Sequence, residues 1–393
     1  MASGLRRLGP FLSTIPRILR VLDATAAPRG GERAAATALR AWCAARWPEI
    51  DWIVQPYGRS GANLVATHGT GPLLYSHLDT SLDSAPADAA VTGRADPAGR
   101  LRVSGEQAEG FGLGVARAPA AAALAAFAEA GSGTLLLAGS GTHRRGSAGT
   151  GLEAYLDAYP PPPAAIVAKS GPATVLWEEP GALYLRVRLT GRYGAVLARR
   201  SAVPEGGVIA HIGVVVDALE AWCHGYARSR PGVGQVGATA GIGAIRAGRP
   251  DKPDLFPASL ELDLYVVTVP GESPDALAEE VERRVRTVCA GTPLGVCAVS
   301  VEVDVVHAAA ATPRGAAIVT AAWAAWTEEF GAEPPPITGW TGSTDGVVLR
   351  GRGVDTVRLG PQAVPSEDDP RRDVVDLVRL AAYSRLYRRL IGV

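Results

Sequence analysis

Residues 71–80 constrain the fold more than any other stretch, because an apolar run, Gly-Pro-Leu-Leu-Tyr-Ser, delivers His77 and Asp79 at its carboxyl end. A short run of this kind predicts a buried strand that opens into a loop. Residues two apart on a strand point to the same side, so the two side chains are expected to face one site. The pair suits a histidine that binds a metal or moves a proton while a carboxylate orients its ring. The simpler alternative is a hydrogen-bonded strand end.

Strands and helices are predicted to alternate on both sides of this stretch. Apolar runs at 134–138 and 164–168 predict further buried strands, and the alanine-rich spacing of 113–130 predicts a helix with Pro119 in its first turn, where proline is tolerated. Such alternation is typical of a parallel sheet covered by helices on both faces. The predicted fold class is therefore α/β, with a mixed, mostly parallel sheet sandwiched by helices.

The pattern changes near residue 181, where 183–189 and later 259–267 alternate like half-exposed strands. A chain of 393 residues is also longer than one core usually carries. We expect a smaller α+β domain, 181–305, inserted into an α/β domain formed by 1–180 and 306–393. Helices are predicted over 207–227, 273–289 and 374–389, and the last strand of the insert over 299–306.

Charge and cysteine usage narrow the possible partners and the compartment. Lys and Arg number 39 and so do Asp and Glu, which leaves no basic surface expected for nucleic acid or an anionic membrane. The four cysteines form no Cys-x-x-Cys pair, which predicts reduced thiols in a reducing compartment. Prolines and arginines interrupt the first apolar stretch, so neither a signal peptide nor a spanning helix is predicted there. We expect a soluble, cytoplasmic protein.

Six short motifs together carry a family resemblance: Ser-His-Leu-Asp-Thr (76–80), Gly-Phe-Gly-Leu-Gly-Val-Ala-Arg-Ala-Pro (110–119), Gly-Ser-Ala-Gly (146–149), Pro-Gly-Glu-Ser-Pro (270–274), Gly-Ser-Thr-Asp (342–345) and Leu-Gly-Pro (359–361). With them the chain resembles, nearly end to end, the co-catalytic zinc aminoacylase and carboxypeptidase family. This family includes acetylornithine deacetylase, succinyl-diaminopimelate desuccinylase and hydrolases that release lysine or ornithine from an amino-group carrier protein.

The resemblance implies a zinc-exopeptidase-like fold with an inserted lid or dimerisation domain, and hence a homodimer as an expectation. It also implies a small acylated amino acid or another carboxylate as the ligand, and an acidic amino-group carrier protein as a candidate partner. The run 116–119 is nearest to the carrier-protein lysine hydrolases, which places Arg117 among the candidate anion-binding residues.

The same resemblance shows that most of the family's metal ligands are replaced. The family holds two zinc ions with two histidines and three acidic residues, and a glutamate acts as general base. The matching positions are His77 for the first histidine, Asp79 for its supporting aspartate, Val115 for the bridging aspartate, His143 and Arg144 for the paired glutamates, Lys169 for the next acid, and 364–366, without histidine, for the last ligand. We therefore predict no zinc and no other cofactor. The family's substrate-binding arginine is replaced near Tyr265.

Two hypotheses follow from these replacements. In the first, the protein is a biosynthetic enzyme that carries out metal-free acyl transfer, cyclisation or hydrolysis, with His143, or His77 with Asp79, moving protons. Arg144 and Lys169 would then supply the positive charge that zinc once provided. In the second, the protein is a pseudoenzyme that serves as a binding or scaffold protein.

Other patterns carry less information. Residues 139–146 follow a strand and contain glycines and arginines, but lack the spacing of a phosphate-binding loop. No Gly-x-Ser-x-Gly elbow is present for a serine hydrolase. Residues 177–179 offer either acids near the cleft or, more simply, a surface turn. A structural role is expected for His307 and for the histidines at 68, 211 and 224.

Overall fold

Helices and strands alternate through the computed structural model, which describes residues 9–25, 31–80, 100–139, 150–196, 207–367 and 372–392. Its α-helices are α1 (Gly9–Ala24), α2 (Arg33–Arg46), α3 (Ala118–Ala130), α4 (Thr150–Ala158), α5 (Ile212–Ser229), α6 (Pro274–Ala290), α7 (Ala317–Phe330), α8 (Gly346–Gly351) and α9 (Leu377–Ile391). Its strands are β1 (Trp52–Tyr57), β2 (Gly61–His68), β3 (Leu73–His77), β4 (Arg102–Ser104), β5 (Gln107–Gly110), β6 (Gly133–Ala138), β7 (Ala165–Ala168), β8 (Glu178–Glu179), β9 (Gly181–Thr190), β10 (Gly194–Ala195), β11 (Thr239–Ala247), β12 (Leu255–Phe256), β13 (Ser259–Thr268), β14 (Ala298–His307), β15 (Ala310–Ala311), β16 (Thr356–Leu359), β17 (Val364–Pro365) and β18 (Asp373–Asp376).

The central sheet has the strand order β1-β2-β6-β3-β7-β16. Strand β3 pairs in parallel with β6 and β7, and β7 pairs in parallel with β16. The edge strand β1 runs antiparallel to β2, and β2 runs antiparallel to β6. This arrangement confirms the predicted mixed, mostly parallel sheet. Strand β3 lies inside it, which explains why its sequence is apolar on both faces.

Helices cover both faces of the central sheet, as predicted. On one face α1, α2, α3, α7 and α9 pack against inward side chains such as Leu74 and Val357. On the other, Leu152 of α4 and Leu349 of α8 pack against Leu73 and Tyr75. The predicted strand 71–80 thus separates two hydrophobic cores.

The helix predicted over 113–130 is the most buried in the described part of the chain. It begins with a π-helical turn, Leu113–Arg117, and continues as α3. Its alanines allow close packing, and the Ser384 hydroxyl of α9 donates a hydrogen bond to the Ala122 carbonyl at 3.1 Å. The 18-residue stretch is long and apolar enough to cross a membrane, but 78% of it is buried inside the protein, as for a core helix.

A second sheet, with strand order β11-β13-β9-β14, is antiparallel throughout. Alternate residues of β9, such as Leu185 and Val187, are buried against α5 and α6. Between them, Arg186 and Arg188 point to the other face and pair with Asp263 and Glu261. The alternation read from the sequence at 183–189 therefore marks one buried and one charged face.

The last predicted helix begins later than the sequence suggested. Instead of starting at residue 374, α9 starts at Leu377, because residues Asp373–Asp376 pair with β5 as strand β18. The Asp376 carboxylate accepts hydrogen bonds from the backbone N–H groups of Val378 and Arg379 and so caps the helix. All four cysteine thiols are free and buried, so the cysteines serve as small apolar side chains.

Candidate active site

Three neighbouring parallel strands deliver polar side chains at one level of the central sheet. Tyr75 of β3 lies beside Val167 of β7, which lies beside Arg358 of β16. His77 and Lys169 each come two residues further along and therefore share the same side at the carboxyl ends of their strands. The Lys169 Nζ atom lies 3.2 Å from the Nδ1 atom of His77. Both residues are buried.

Asp345 joins this pair from the loop before α8. Its Oδ2 atom lies 3.6 Å from His77 Nε2 and accepts a hydrogen bond from the Tyr75 hydroxyl at 2.5 Å. The residue is fully buried, and the rings of Tyr75 and His77 meet edge to face with centroids 5.3 Å apart. Tyr75, Asp345, His77 and Lys169 therefore form one continuous buried polar chain.

The partners of His77 define its tautomer. A lysine ammonium group can only donate hydrogen bonds, so Lys169 Nζ is the donor and His77 Nδ1 is the acceptor. The proton of the neutral imidazole then resides on Nε2, which faces the Asp345 carboxylate. In this state His77 connects an acid to an amine, and a proton leaving Lys169 would enter the imidazole at Nδ1.

Burial shifts the pKa values of Lys169 and Tyr75. Loss of solvation lowers the pKa of Lys169 to about 8; nearby Asp345 opposes that shift, and Arg358 adds to it. Burial, with the negative charge of Asp345, raises the pKa of Tyr75 well above its ordinary value. Tyr75 therefore stays protonated as a donor, while Lys169 has an amine that can lose its proton near neutral pH.

Glu179 lies beside this chain and corrects the interpretation of residues 177–179 as a surface turn. Its carboxylate is completely buried. It accepts hydrogen bonds from Arg350 Nη1 at 2.5 Å and from the Thr344 hydroxyl, and it lies 3.6 Å from Arg358 Nη1. One acid thus compensates two buried arginines. The expected excess of positive charge in the site is therefore partly cancelled.

Arg358 has further contacts that hold its guanidinium in place. It donates to the carbonyl oxygens of Gly342 at 3.1 Å and Ser170 at 2.5 Å, and it stacks 5.2 Å from the ring centre of Trp340. Its Nε atom is buried without a hydrogen-bond partner among the residues that the structure places. A rigid cation with a spare donor is suited to hold an anion.

A cleft of about 820 Å³ opens onto this cluster. Lys169 and Arg358 line it from the central sheet, Tyr265 from the second sheet, and Trp340 from the loop before α8. The remaining lining residues are Gly114, Val115, Ser170, Gly171, Pro172, Thr341, Gly342, Ser343, Gln362, Ala363, Val364 and Asp373. The cleft therefore lies where the two sheets approach each other, at the carboxyl end of the central one.

The structure unites some of the predicted site residues and separates another. His77 and Lys169 are in contact. Asp79 is buried nearby, and its negative charge partly opposes the lowering of the Lys169 pKa by burial. Arg117 is elsewhere: its guanidinium donates to Asp23 at 2.8 Å and to the Phe111 carbonyl at 2.9 Å. These contacts tie α3 to α1, and Arg117 is absent from the lining of the cleft. The two other candidates, His143 and Arg144, lie outside the residues that the structure describes.

Among the described residues, the donor groups do not fit a di-zinc centre. Within the described ranges, no group of three or more His, Cys, Asp and Glu side chains is arranged to hold a metal ion. Val115 has no donor atom in its side chain, and the Lys169 ammonium lies against the imidazole that would serve as a ligand. A cation in this position repels a dication, whereas zinc prefers thiolate, imidazole and carboxylate ligands.

Comparison with known proteins identifies the fold. No protein-family model and no curated protein matches the sequence. Among solved structures, an M20 family metallo-carboxypeptidase from Sulfolobus solfataricus superposes with a TM-score of 0.65 at 14% identity, covering 98% of this chain and 99% of that one. The chain has the M20 metallopeptidase fold.

Two further structures share this M20 fold over nearly their whole length. A tripeptidase from Staphylococcus aureus matches with a TM-score of 0.65 and 15% identity, over 97% of this chain and 98% of that one. Human carnosine dipeptidase 1 matches with a TM-score of 0.66 and 13% identity, over 98% and 97%. The fold is thus conserved where sequence identity is low.

Sequence patterns contained signals for three residues of the cluster that were not assigned to it. Tyr75 precedes His77 by two positions on the same strand, so alternation alone puts it on the same side. Asp345 ends the Gly-Ser-Thr-Asp motif, and Arg358 is a charged residue inside an otherwise apolar strand. No local pattern marked Glu179, whose burial depends on arginines at 350 and 358.

Gly360, in the Leu-Gly-Pro motif, allows the chain to pass close to Lys169. A Cβ atom at this position would collide with the backbone carbonyl of Lys169. We expect Gly360→Ala to lower the free energy of unfolding by about 1–3 kcal/mol, as overpacking does. Urea denaturation checks this. Gly351→Ala is the matched control, since no atom lies within 4 Å of the added methyl group, and a loss as large in the control would contradict the explanation.

Proposed function

We propose that the protein is a metal-independent enzyme that acts on the acyl or amide group of a small substrate bearing a carboxylate. The observation that carries this proposal is the contact of the Lys169 amine with His77 at the base of the cleft. A buried amine coupled to a histidine and an aspartate is the arrangement of an activated acid or base. The shared fold makes an amide-like substrate the first class to test.

The roles of the residues follow from their contacts. Lys169 as an ammonium can stabilise the negative charge that develops on a carbonyl oxygen, because it acts in a poorly solvated cleft. As it gives up a proton, His77 receives it at Nδ1, and Asp345 stabilises the resulting imidazolium. Tyr75 orients Asp345 through its hydrogen bond. Arg358 is placed to bind the substrate carboxylate with its spare Nε–H group.

The substrate class comes from the sequence resemblance together with the size of the cleft. A volume of about 820 Å³ accommodates an acylated amino acid. The same resemblance keeps a carrier-linked amino acid, a homodimer and a biosynthetic role as parts of the proposal. Co-purification with an acidic carrier protein tests the carrier-linked substrate, and the molar mass in solution tests the homodimer.

Ligand-induced stabilisation tests the binding part of the proposal. We expect N-acyl amino acids or simple dicarboxylates to raise the melting temperature of the purified protein, because a ligand at about 100 times its Kd adds roughly 2.7 kcal/mol. The shift should disappear in Lys169→Met and persist in Lys252→Met, whose lysine is exposed and pairs only locally with Asp254. An unchanged shift in Lys169→Met would remove Lys169 from the binding site.

Turnover of the stabilising compound tests the catalytic part. Mass spectrometry of the reaction should show hydrolysis or transfer of the acyl group at a rate that Lys169→Met lowers by at least about 100-fold, the usual contribution of a general acid or base. The reaction should proceed equally in protein treated with a chelator and checked by elemental analysis. Activity that requires added zinc would contradict the proposal.

A binding protein without turnover is the second candidate. It is favoured by the fact that Lys169, His77 and Asp345 are buried in contact with one another, as the members of stable buried networks are. In that case the compound that stabilises the fold would be recovered unchanged after prolonged incubation. The same two measurements therefore separate the two candidates.

A further inference from the structure

A second polar pair, formed by one residue of the cleft wall and a histidine behind it, is separate from the hydrogen-bonded residues around Lys169. The Ser343 hydroxyl lies 3.0 Å from the Nε2 atom of His307, and Ser343 lines the cleft. A hydroxyl within this distance of an imidazole nitrogen has the geometry of a nucleophile and its base. Sequence patterns had assigned His307 a structural role and had shown no serine-hydrolase elbow.

The contacts of His307 decide which of its nitrogens can act as a base. Its Nδ1 atom lies 3.3 Å from the backbone carbonyl oxygen of Ala308, which can only accept a hydrogen bond. The ring proton therefore resides on Nδ1, and the lone pair of Nε2 faces Ser343. Burial lowers the pKa of His307, although Glu179 and Asp345 partly oppose the shift. The imidazole is thus neutral at pH 7 and able to accept a proton.

The backbone places both residues firmly. His307 ends β14, where a register shift between Val305 and His307 interrupts the pairing with β9. Such bulges re-aim a side chain and occur often beside active sites. Ser343 begins a run of three anchored residues, because the next residue, Thr344, donates to Glu179, and Asp345 accepts from Tyr75. A serine held in this way is positioned before any substrate arrives.

Positive charge lies close to the hydroxyl. The Arg358 guanidinium donates to the carbonyl oxygen of Gly342, the residue that precedes Ser343. Lys169 lines the same cleft. Together they can stabilise an oxyanion that forms on a carbonyl attacked by Ser343.

We propose that Ser343 is a catalytic nucleophile and His307 its general base, and that the protein acts through a covalent acyl-enzyme on esters, thioesters or activated amides. This inference rests on the proposed function, because the acyl group it transfers is that of the same substrate class. Ser343 Oγ attacks the carbonyl carbon while its proton passes to His307 Nε2. The bond to the leaving group then breaks, and the leaving group takes that proton. Water then attacks the carbonyl carbon of this ester and gives a proton to His307 Nε2. The bond between that carbon and Ser343 Oγ breaks, Oγ takes the proton back from His307, and the carboxylic acid and free Ser343 are released.

A fluorophosphonate probe tests the pair without knowledge of the substrate. The probe phosphonylates an activated serine and releases fluoride, and intact-mass and peptide analysis locate the adduct. We expect one adduct on Ser343 of the full-length protein and none on Ser170, which lines the same cleft without a histidine partner. Ser343→Ala should abolish labelling. His307→Gln should slow it by at least about 100-fold, whereas His224→Gln, a change on the exposed side of α5, should not.

The outcomes separate this inference from the proposed function. An adduct elsewhere or none on folded wild-type protein, or labelling of Ser343 that is equally fast in His307→Gln, would overturn the nucleophile. Wild-type labelling decides the matter even if a variant fails to fold. If labelling of Ser343 depends on His307 but turnover is the same in Lys169→Met, Ser343 is the nucleophile and Lys169 does not have the proposed role. If turnover depends on Lys169 but Ser343 is not labelled, Lys169 has the proposed role and Ser343 is not the nucleophile.

Discussion

Replacing Glu179 by glutamine is expected to lower the free energy of unfolding by about 3–5 kcal/mol. The Glu179 carboxylate is fully buried and compensates Arg350 and Arg358, both of whose side chains are almost completely buried. Glutamine keeps the shape but removes the charge, so two guanidinium groups remain in a poorly solvated interior with no acid between them. The Thr344 hydroxyl also loses an ionised acceptor.

Urea denaturation of the wild-type and variant proteins measures this loss directly. Glu302→Gln is the matched control, because Glu302 also pairs with an arginine, Arg188, but its side chain is 54% exposed. Exposed pairs contribute about 0–1 kcal/mol, so the control should change stability little. If both variants lost less than about 1 kcal/mol, Glu179 would not be the acid that holds the arginines in place.

The positions of Tyr75, His77 and Lys169 follow from local rules. An apolar strand that ends in a polar residue sends that residue to the carboxyl edge of the sheet, and the alternation of side chains fixes which face it takes. Alternation predicted that His77 and Asp79 face one site, and the family resemblance placed Lys169, which follows the strand at 164–168, in that site. The strand order was not predicted, and it is the position of β3 directly beside β7 that brings His77 and Lys169 into contact.

The partners of these residues could not be predicted in the same way. Tyr75 and Asp345 are 270 positions apart, and Glu179 and Arg350 are 171 apart. Nothing in the neighbouring sequence distinguishes a carboxylate that will be buried by distant arginines from one in a surface turn. The prediction from the sequence therefore named Arg144 and Lys169 as cations of the site and did not include the buried acids Asp345 and Glu179.

The pair Ser343 and His307 illustrates the same limit. Ser343 lies in the Gly-Ser-Thr-Asp motif, but neither that motif nor the sequence around His307 marks a nucleophile or its base. Their contact depends on a bulge at the end of β14 and on the path of the loop before α8. By contrast, the sheet order and the helices around it depend on many apolar residues acting together, which is why the fold is shared with structures of only 13–15% sequence identity.

Replacing Lys169 by methionine is expected to stabilise the protein at pH 7 by about 1–3 kcal/mol while removing its function. The ordinary pKa of a lysine is 10.5, and burial lowers that of Lys169 to about 8. A lowered pKa means that the charged amine is less favourable in the folded chain than in the unfolded one. Methionine fills similar space without a charge. A gain in stability from a change that abolishes function would identify Lys169 as a residue maintained for chemistry.

The pH dependence of this difference gives the sharper test. Below pH 8 the amine is protonated in both states, so the destabilisation of the wild-type protein is complete. Between pH 8 and 10.5 the unfolded chain binds the proton and the folded chain does not, so wild-type stability rises with pH. The advantage of Lys169→Met should therefore be largest at pH 7 and shrink towards zero by pH 10.5, as measured by urea denaturation of both proteins at each pH. Other groups that titrate in this range are common to both proteins and cancel in the difference. A variant that is less stable at pH 7 would show that the buried amine stabilises the fold. A difference that does not change with pH would show that folding does not lower the pKa of Lys169.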